Sequence, residues 1–169
     1  MQWFALAPVL LVALPAAAQN YPVRPVRMIV PFAAGGNTDI TARAIGTRLS
    51  EVFGQQVVVE NRPGGATNIG SEMVAKAPAD GYTILMGGAT NAINMSTQAK
   101  PPYDTLRDFA PVILCVKGAN VLTSHPSVPA RNLKELIALA KARPGQLNFA
   151  SSGLGSSNQM AGELFKMMA

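Results

Sequence analysis

Two stretches of the chain carry residue types suited to holding a small anion. One reads IVPFAAGGNTD, from Ile29 to Asp39; the other reads NFASSGLGSSN, from Asn148 to Asn158. Each runs from a strand pattern through a turn of small residues into a helix start. Small residues let a ligand approach the main chain, and the N–H groups at the helix start face it. Such a turn binds carboxylate or phosphate without a formal positive charge. In open α/β sheets these turns lie at the carboxyl ends of strands, where ligands bind. Facing each other from two lobes, the pair could hold both ends of a small dianion. Taken singly, each also reads as an ordinary turn between strand and helix. Asp39 has two readings: an acid that favours the positive end of a helix, or an acceptor for a ligand hydroxyl or ammonium. Asn37 or Thr38 could cap the same helix. Thr90, Asn91 and Asn94 follow the third strand, where Asn serves either as a turn cap or as a ligand contact. Arg62 meets either an anionic ligand or Glu60.

Competing chemistries find little support. The first turn lacks both G-x-G-x-x-G and the G-K-[ST] ending of a phosphate loop, and Gly153 to Asn158 gives only G-x-G-x-x-N. No G-x-S-x-G or H-E-x-x-H motif occurs. His125 is the single histidine and precedes Pro126; it reads as a solvated loop residue. Cys115 is the single cysteine, which excludes an internal disulfide and a cysteine metal cluster. It lies in the apolar run Val112 to Val116 and reads as a small buried hydrophobe. Catalytic residues, metal ligands and a cofactor are therefore not expected. The net charge of +5 comes from 14 Lys and Arg against 9 Asp and Glu in 169 residues. These charges form no basic run, so nucleic acid is not expected as a partner.

The elements that must position the turns follow from periodicity. Residues 27–31 and 56–60, and Tyr82 to Met86, read as strands. Ile40, Ala44, Ile45, Leu49, Val52 and Phe53 predict a helix that Gly54 ends. A second helix is expected over 67–76, with Ile69 and Met73 inward. Strand, helix, strand, helix, strand is a parallel α/β layout. Residues 87–103 read as an extended loop holding one helical turn. Two strands split by 117–120, a helix over 132–142, a strand over 147–150 and a helix over 159–168 would open a second lobe. That lobe has too few elements to cover its own sheet, so an incomplete second lobe is expected. At the start, an apolar stretch from Phe4 to Leu14 and small residues Ala16 and Ala18 read as a secretory signal peptide of residues 1–18. The stretch is shorter than a membrane anchor and lacks a basic start; a buried N-terminal element is the other reading.

Longer motifs then show a family. YPVRPVRMIVPFAAGGNTD (21–39), VVVENRPGGATNIG (57–70), APADGYTILMGGATNAIN (77–94), PYDTLRDFAPV (102–112) and residues 125–166 resemble the periplasmic solute-binding receptors of tripartite tricarboxylate transporters, the Bug or TctC-like family. The resemblance implies a periplasmic-binding-protein-like α/β fold: a first lobe over 19–108 and a partial second lobe over 109–169 around a cleft. It implies binding of a small organic carboxylate, without catalysis, by a monomer that delivers it to membrane permease subunits. An exported sensor or adaptor for a signalling partner is the alternative. By position, Phe32, Gly35, Gly36, Asn37 and Asp39 match one gripping loop, and Ser151, Ser152, Gly153 and Gly155 the other. Thr90 and Asn91 match the wall after the third strand. Gln159-Met160 stands where many relatives have His-Leu; Gln159 can still donate a hydrogen bond but cannot titrate near neutrality.

Overall fold

The structure is a computed structural model and describes residues 20–151 and 155–169. The expected leader, Ser152 and Gly153 lie outside the described residues. Three parallel strands form a sheet in the order β2-β1-β3, with β1 at Val26–Val30, β2 at Val57–Asn61 and β3 at Thr83–Leu85. Val26 pairs with Val57 and Met28 with Ile84, so β1 is the central strand. It is central because it is the most apolar: Val26, Met28, Ile29 and Val30 are all buried. A strand buried on both faces cannot alternate polar and apolar residues.

Helix α1 (Asn37–Phe53) joins β1 to β2, and α2 (Asn68–Ala75) joins β2 to β3. The two crossovers run in opposite directions across the sheet. With right-handed connections this puts the helices on opposite faces. On the α1 face, Ala42 joins Val26, Met28, Val30 and Val57 in the core, with Ile45, Leu49 and Phe53 packed around it. Gly46 lets α1 approach closely: a Cβ there would lie 3.1 Å from Val59 Cγ2. Gly70 does the same for α2, where a Cβ would meet the Arg62 carbonyl at 2.7 Å and Pro31 at 3.0 Å. α1 ends as expected, with Gly54 left-handed at φ 64° and its N–H bonded to the Ser50 carbonyl.

Several expectations from periodicity are corrected. Ile40 and Val52 on α1, and Ile69 and Met73 on α2, are exposed. On α1 the innermost positions are Asp39, Ala42 and Gly46, with the expected Ile45, Leu49 and Phe53 packed beside them, and on α2 they are Gly70 and Ser71. The helices sit so close to the sheet that small residues win the inner positions. Residues 89–97 form a full helix, α3 (Ala89–Thr97), because Thr90, Asn91 and Asn94 make a buried polar stripe that apolar periodicity does not register. Beyond it come α4 (Leu133–Ala142) and α5 (Ser157–Met168). The strands expected within 109–123 and at 147–150 do not form; residues 110–127 are exposed and irregular. Cys115 is accordingly exposed rather than buried. A strand needs a hydrogen-bonded neighbour, and these segments have none among the described residues.

Candidate functional site

The strand order turns around at β1, between connections that leave in opposite directions. The crevice outside the carboxyl ends of the strands at such a point is where open α/β sheets bind ligands. Four turns gather there. The turn after β1 carries Phe32 to Gly36. Its Phe32 ring lies toward the turn after β3, where a Cβ on Gly88 would be 3.6 Å from Phe32 Cζ. Gly155, from the turn before α5, faces the same region. A Cβ there would be 3.4 Å from Asn94 Oδ1, 3.5 Å from Ala66 Cβ and 3.6 Å from Thr90 Cγ2. Thr90 and Gly155, far apart in sequence, are thus brought together.

Asp39 holds the first turn in shape. Its Oδ2 accepts the Gly35 N–H at 2.8 Å, and its Oδ1 accepts from Asn61 Nδ2 and from Arg43, each at 3.0 Å. Asn61 Nδ2 also reaches the Phe32 carbonyl at 3.2 Å. The Gly35 amide first, then Arg43 and Asn61, hold the Asp39 carboxyl down to about 2. Both oxygens are engaged by the protein, which is how an acid in the first helical turn holds the turn before it. Asn91 is likewise engaged inside the molecule. Its Oδ1 accepts the Gly88 N–H at 2.9 Å, and its Nδ2 donates to Ser71 at 2.7 Å and Tyr103 at 3.2 Å. Arg62 pairs with Glu60 at 3.0 Å, and Arg27 pairs with the same carboxylate at 2.7 Å. Those two cations, Arg27 foremost, bring Glu60 to about 2.

Sequence reasoning passed over two contributors and the partners of a third, Asn94. Asn61 and Arg43 complete the support of the first turn; Arg43 also donates to Asn61 Oδ1 at 2.8 Å. Asn94 Nδ2 donates to the Ala66 carbonyl at 2.7 Å and to Asn68 Oδ1 at 2.9 Å. It thereby holds a turn in which Gly64, Gly65, Ala66 and Thr67 all have positive φ. That conformation is unfavourable for Ala and more so for a β-branched Thr. The only sequence signal was the turn composition Pro63-Gly64-Gly65.

The helix starts share one device and differ in another. At α1, α4 and α5 the third helical residue accepts the N–H just before the N-cap: Asp39 from Gly35, Glu135 from Arg131 at 2.7 Å, and Gln159 from Gly155 at 2.6 Å. At α3, Asn91 accepts from the N-cap itself. The N-cap residues divide them. Asn132 caps the Glu135 amide at 3.0 Å and Ser156 caps the Gln159 amide at 3.3 Å. Gly36 and Gly88, at α1 and α3, have no side chain to do so. The amides of Asn37, Thr38 and Asp39 therefore have no acceptor among the described residues. A helix start left open at the carboxyl end of a central strand is a seat for an anion. Among the described residues, no group of His, Cys, Asp and Glu could hold a metal ion. No helix there is long and apolar enough to cross a membrane.

Residues 41–169 match the family model described as the tripartite tricarboxylate transporter family receptor. The chain belongs to that receptor family. Protein BugT of Bordetella pertussis is 41% identical over 158 residues, 92% of this chain and 48% of that protein. Among solved structures, an R. palustris protein with adipate is 42% identical, with a TM-score of 0.83 over 88% of this chain and 50% of that one. The periplasmic binding protein BugD is 32% identical, with a TM-score of 0.75 over the same shares. The chain thus spans about half the length of the relatives it matches. The α/β fold is that of these periplasmic binding proteins, and the tripartite transporter receptors are a family of substrate-binding proteins.

Proposed function

We propose that this receptor binds a small organic carboxylate outside the cytoplasm and delivers it to the membrane permease subunits of a tripartite transporter. The observation that carries this is the open start of α1: a glycine N-cap and three amides without protein acceptors, at the carboxyl end of the central strand. One carboxylate oxygen can accept from such amides while the helix end favours the negative charge. The adipate bound by the R. palustris relative is a ligand of this chemistry. In this reading residues 1–18 direct export. Residues 19–108 form the first lobe, and 109–169 contribute part of the second. The Gly35–Gly36–Asn37 main chain grips one end of the ligand, Phe32 and Thr90 wall the cleft, and the Gly155 turn with Ser151 meets the other end, with Gln159 beside it. Asp39 and Asn91 position these groups from behind. Binding needs no catalytic step, only a ligand that stabilises the closed arrangement more than the open one.

Isothermal titration of the purified protein with a panel of mono-, di- and tricarboxylates tests the reading. Saturable binding of one carboxylate per chain is expected, and Gly36→Val should weaken it by placing a side chain at the helix mouth. No heat from any member of the panel overturns the proposal.

A further inference from the structure

Four helices carry an acceptor at their third residue, and three of those acceptors are locked. Asp39 is tied by Arg43 and Asn61. Asn91 is tied by Ser71 and Tyr103. Glu135 receives a second bond, from Asn132 Nδ2 at 2.8 Å. Gln159 differs. Its side-chain carbonyl holds the Gly155 N–H at 2.6 Å, and its carboxamide has no other hydrogen-bond partner among the described residues. It is neutral, half-buried, and joined to the turn by one bond.

The surroundings of Gly155 make that bond an exchange point. Where a Cβ on Gly155 would point lies Asn94 Oδ1, 3.4 Å from that position, buried and without a hydrogen-bond partner among the described residues. The free acceptor next to the turn thus belongs to Asn94, while the Gly155 N–H itself is held, among the described residues, by Gln159 alone. One N–H makes one strong hydrogen bond. A carboxylate oxygen reaching the Gly155 N–H therefore has to take the place of the Gln159 carbonyl. The exchange is favourable because an ionised acceptor makes a stronger hydrogen bond than a neutral carbonyl.

We propose that Gln159 is an internal stand-in for the ligand: its carbonyl occupies the Gly155 amide in the empty receptor and is displaced by the incoming carboxylate. The proposal rests on the carboxylate-binding reading above and adds its regulation. Gln159 then sets affinity by competition, not by contact. Removing the competitor should tighten binding even though a hydrogen bond is lost from the protein. A residue serving only as a helix cap would lower thermal stability and leave affinity unchanged, and a residue that directly donates to the ligand would lower affinity when removed.

Gln159→Met keeps the length and helix preference of the side chain but removes the acceptor. Titrated with the dicarboxylate that the unaltered protein binds, it should bind roughly three- to tenfold more tightly, the net worth of one neutral hydrogen bond. Unchanged or weaker binding overturns the proposal. Gln159→Glu retains the cap and replaces the neutral stand-in with an anion. It should melt no lower than the parent and bind at least roughly tenfold more weakly, since a charged acceptor holds the amide more firmly. Parental affinity in that variant overturns the proposal while leaving the binding function intact. Failure of the unaltered protein to bind any carboxylate overturns both.

Discussion

The starts of α1 and α4 are built from nearly the same parts and end in opposite states. In both, an acid at the third helical residue reaches back to the N–H before the N-cap. In α4 the N-cap is Asn132, whose side chain closes the helix end. In α1 it is Gly36, which closes nothing. The acids differ as well. Glu135 stays on its own exposed helix end. Asp39 is drawn toward Arg43 and Asn61, so its charge is compensated beside the open helix start. Capping satisfies a helix for its own sake; withholding the cap leaves donors for something else. Under the proposed function, the glycine at α1 reflects the site more than the fold.

The largest test of this contrast is to close α1 artificially. Gly36→Asp supplies the missing cap and a competing charge. Carboxylate affinity should fall by about 10- to 100-fold, the worth of hydrogen bonds to a charged group. Thermal stability should hold or rise, since Asp is the better N-cap by a few tenths of a kcal/mol. Calorimetric titration beside a thermal melt reads both, and a loss of stability without a loss of binding would break the comparison. The converse change is Asn132→Ala. It should cost about 1 kcal/mol in denaturant unfolding and leave carboxylate affinity where it was. A smaller effect concerns pH. Asp39 titrates at about 2 instead of its ordinary 3.8. Its contribution is complete above the ordinary value and is lost as pH falls through the lowered one. Unfolding followed by circular dichroism should show that loss between about pH 4 and pH 2, and Asp39→Asn should flatten this part of the profile.

The sheet was legible because its signals are local and redundant: β-branched runs for β1 and β2, glycine and Asp-Gly punctuation, and a left-handed Gly54. The inward faces of α1 and α2 were less so. Hydrophobic periodicity points to Ile40 and Ile69, but close packing selects Gly46 and Gly70, and closeness is a tertiary property. α3 was missed because its buried stripe is Thr and Asn, held by partners as distant as Ser71 and Ala66. For the site, main-chain turns were visible as composition. The roles of Asp39 and Asn91 were decided by which acceptors and donors folding brought beside them. Asn61 and Arg43 carry no motif and emerge only from the network, as do the partners of Asn94. The expected second-lobe strands failed for a related reason. Val112 to Val116 has the composition of a strand, yet a strand is defined by what lies alongside it.

That last segment sets how the protein has to be handled. Val112, Ile113, Leu114 and Val116 are all more than half exposed, in a run of high β-propensity without an internal charge or proline. Such a ribbon offers unpaired main-chain groups and apolar side chains together, the combination that templates intermolecular zippers. Self-association of the 169-residue chain should therefore rise steeply with concentration, and Ile113→Lys is the simplest gatekeeper for keeping that chain in solution.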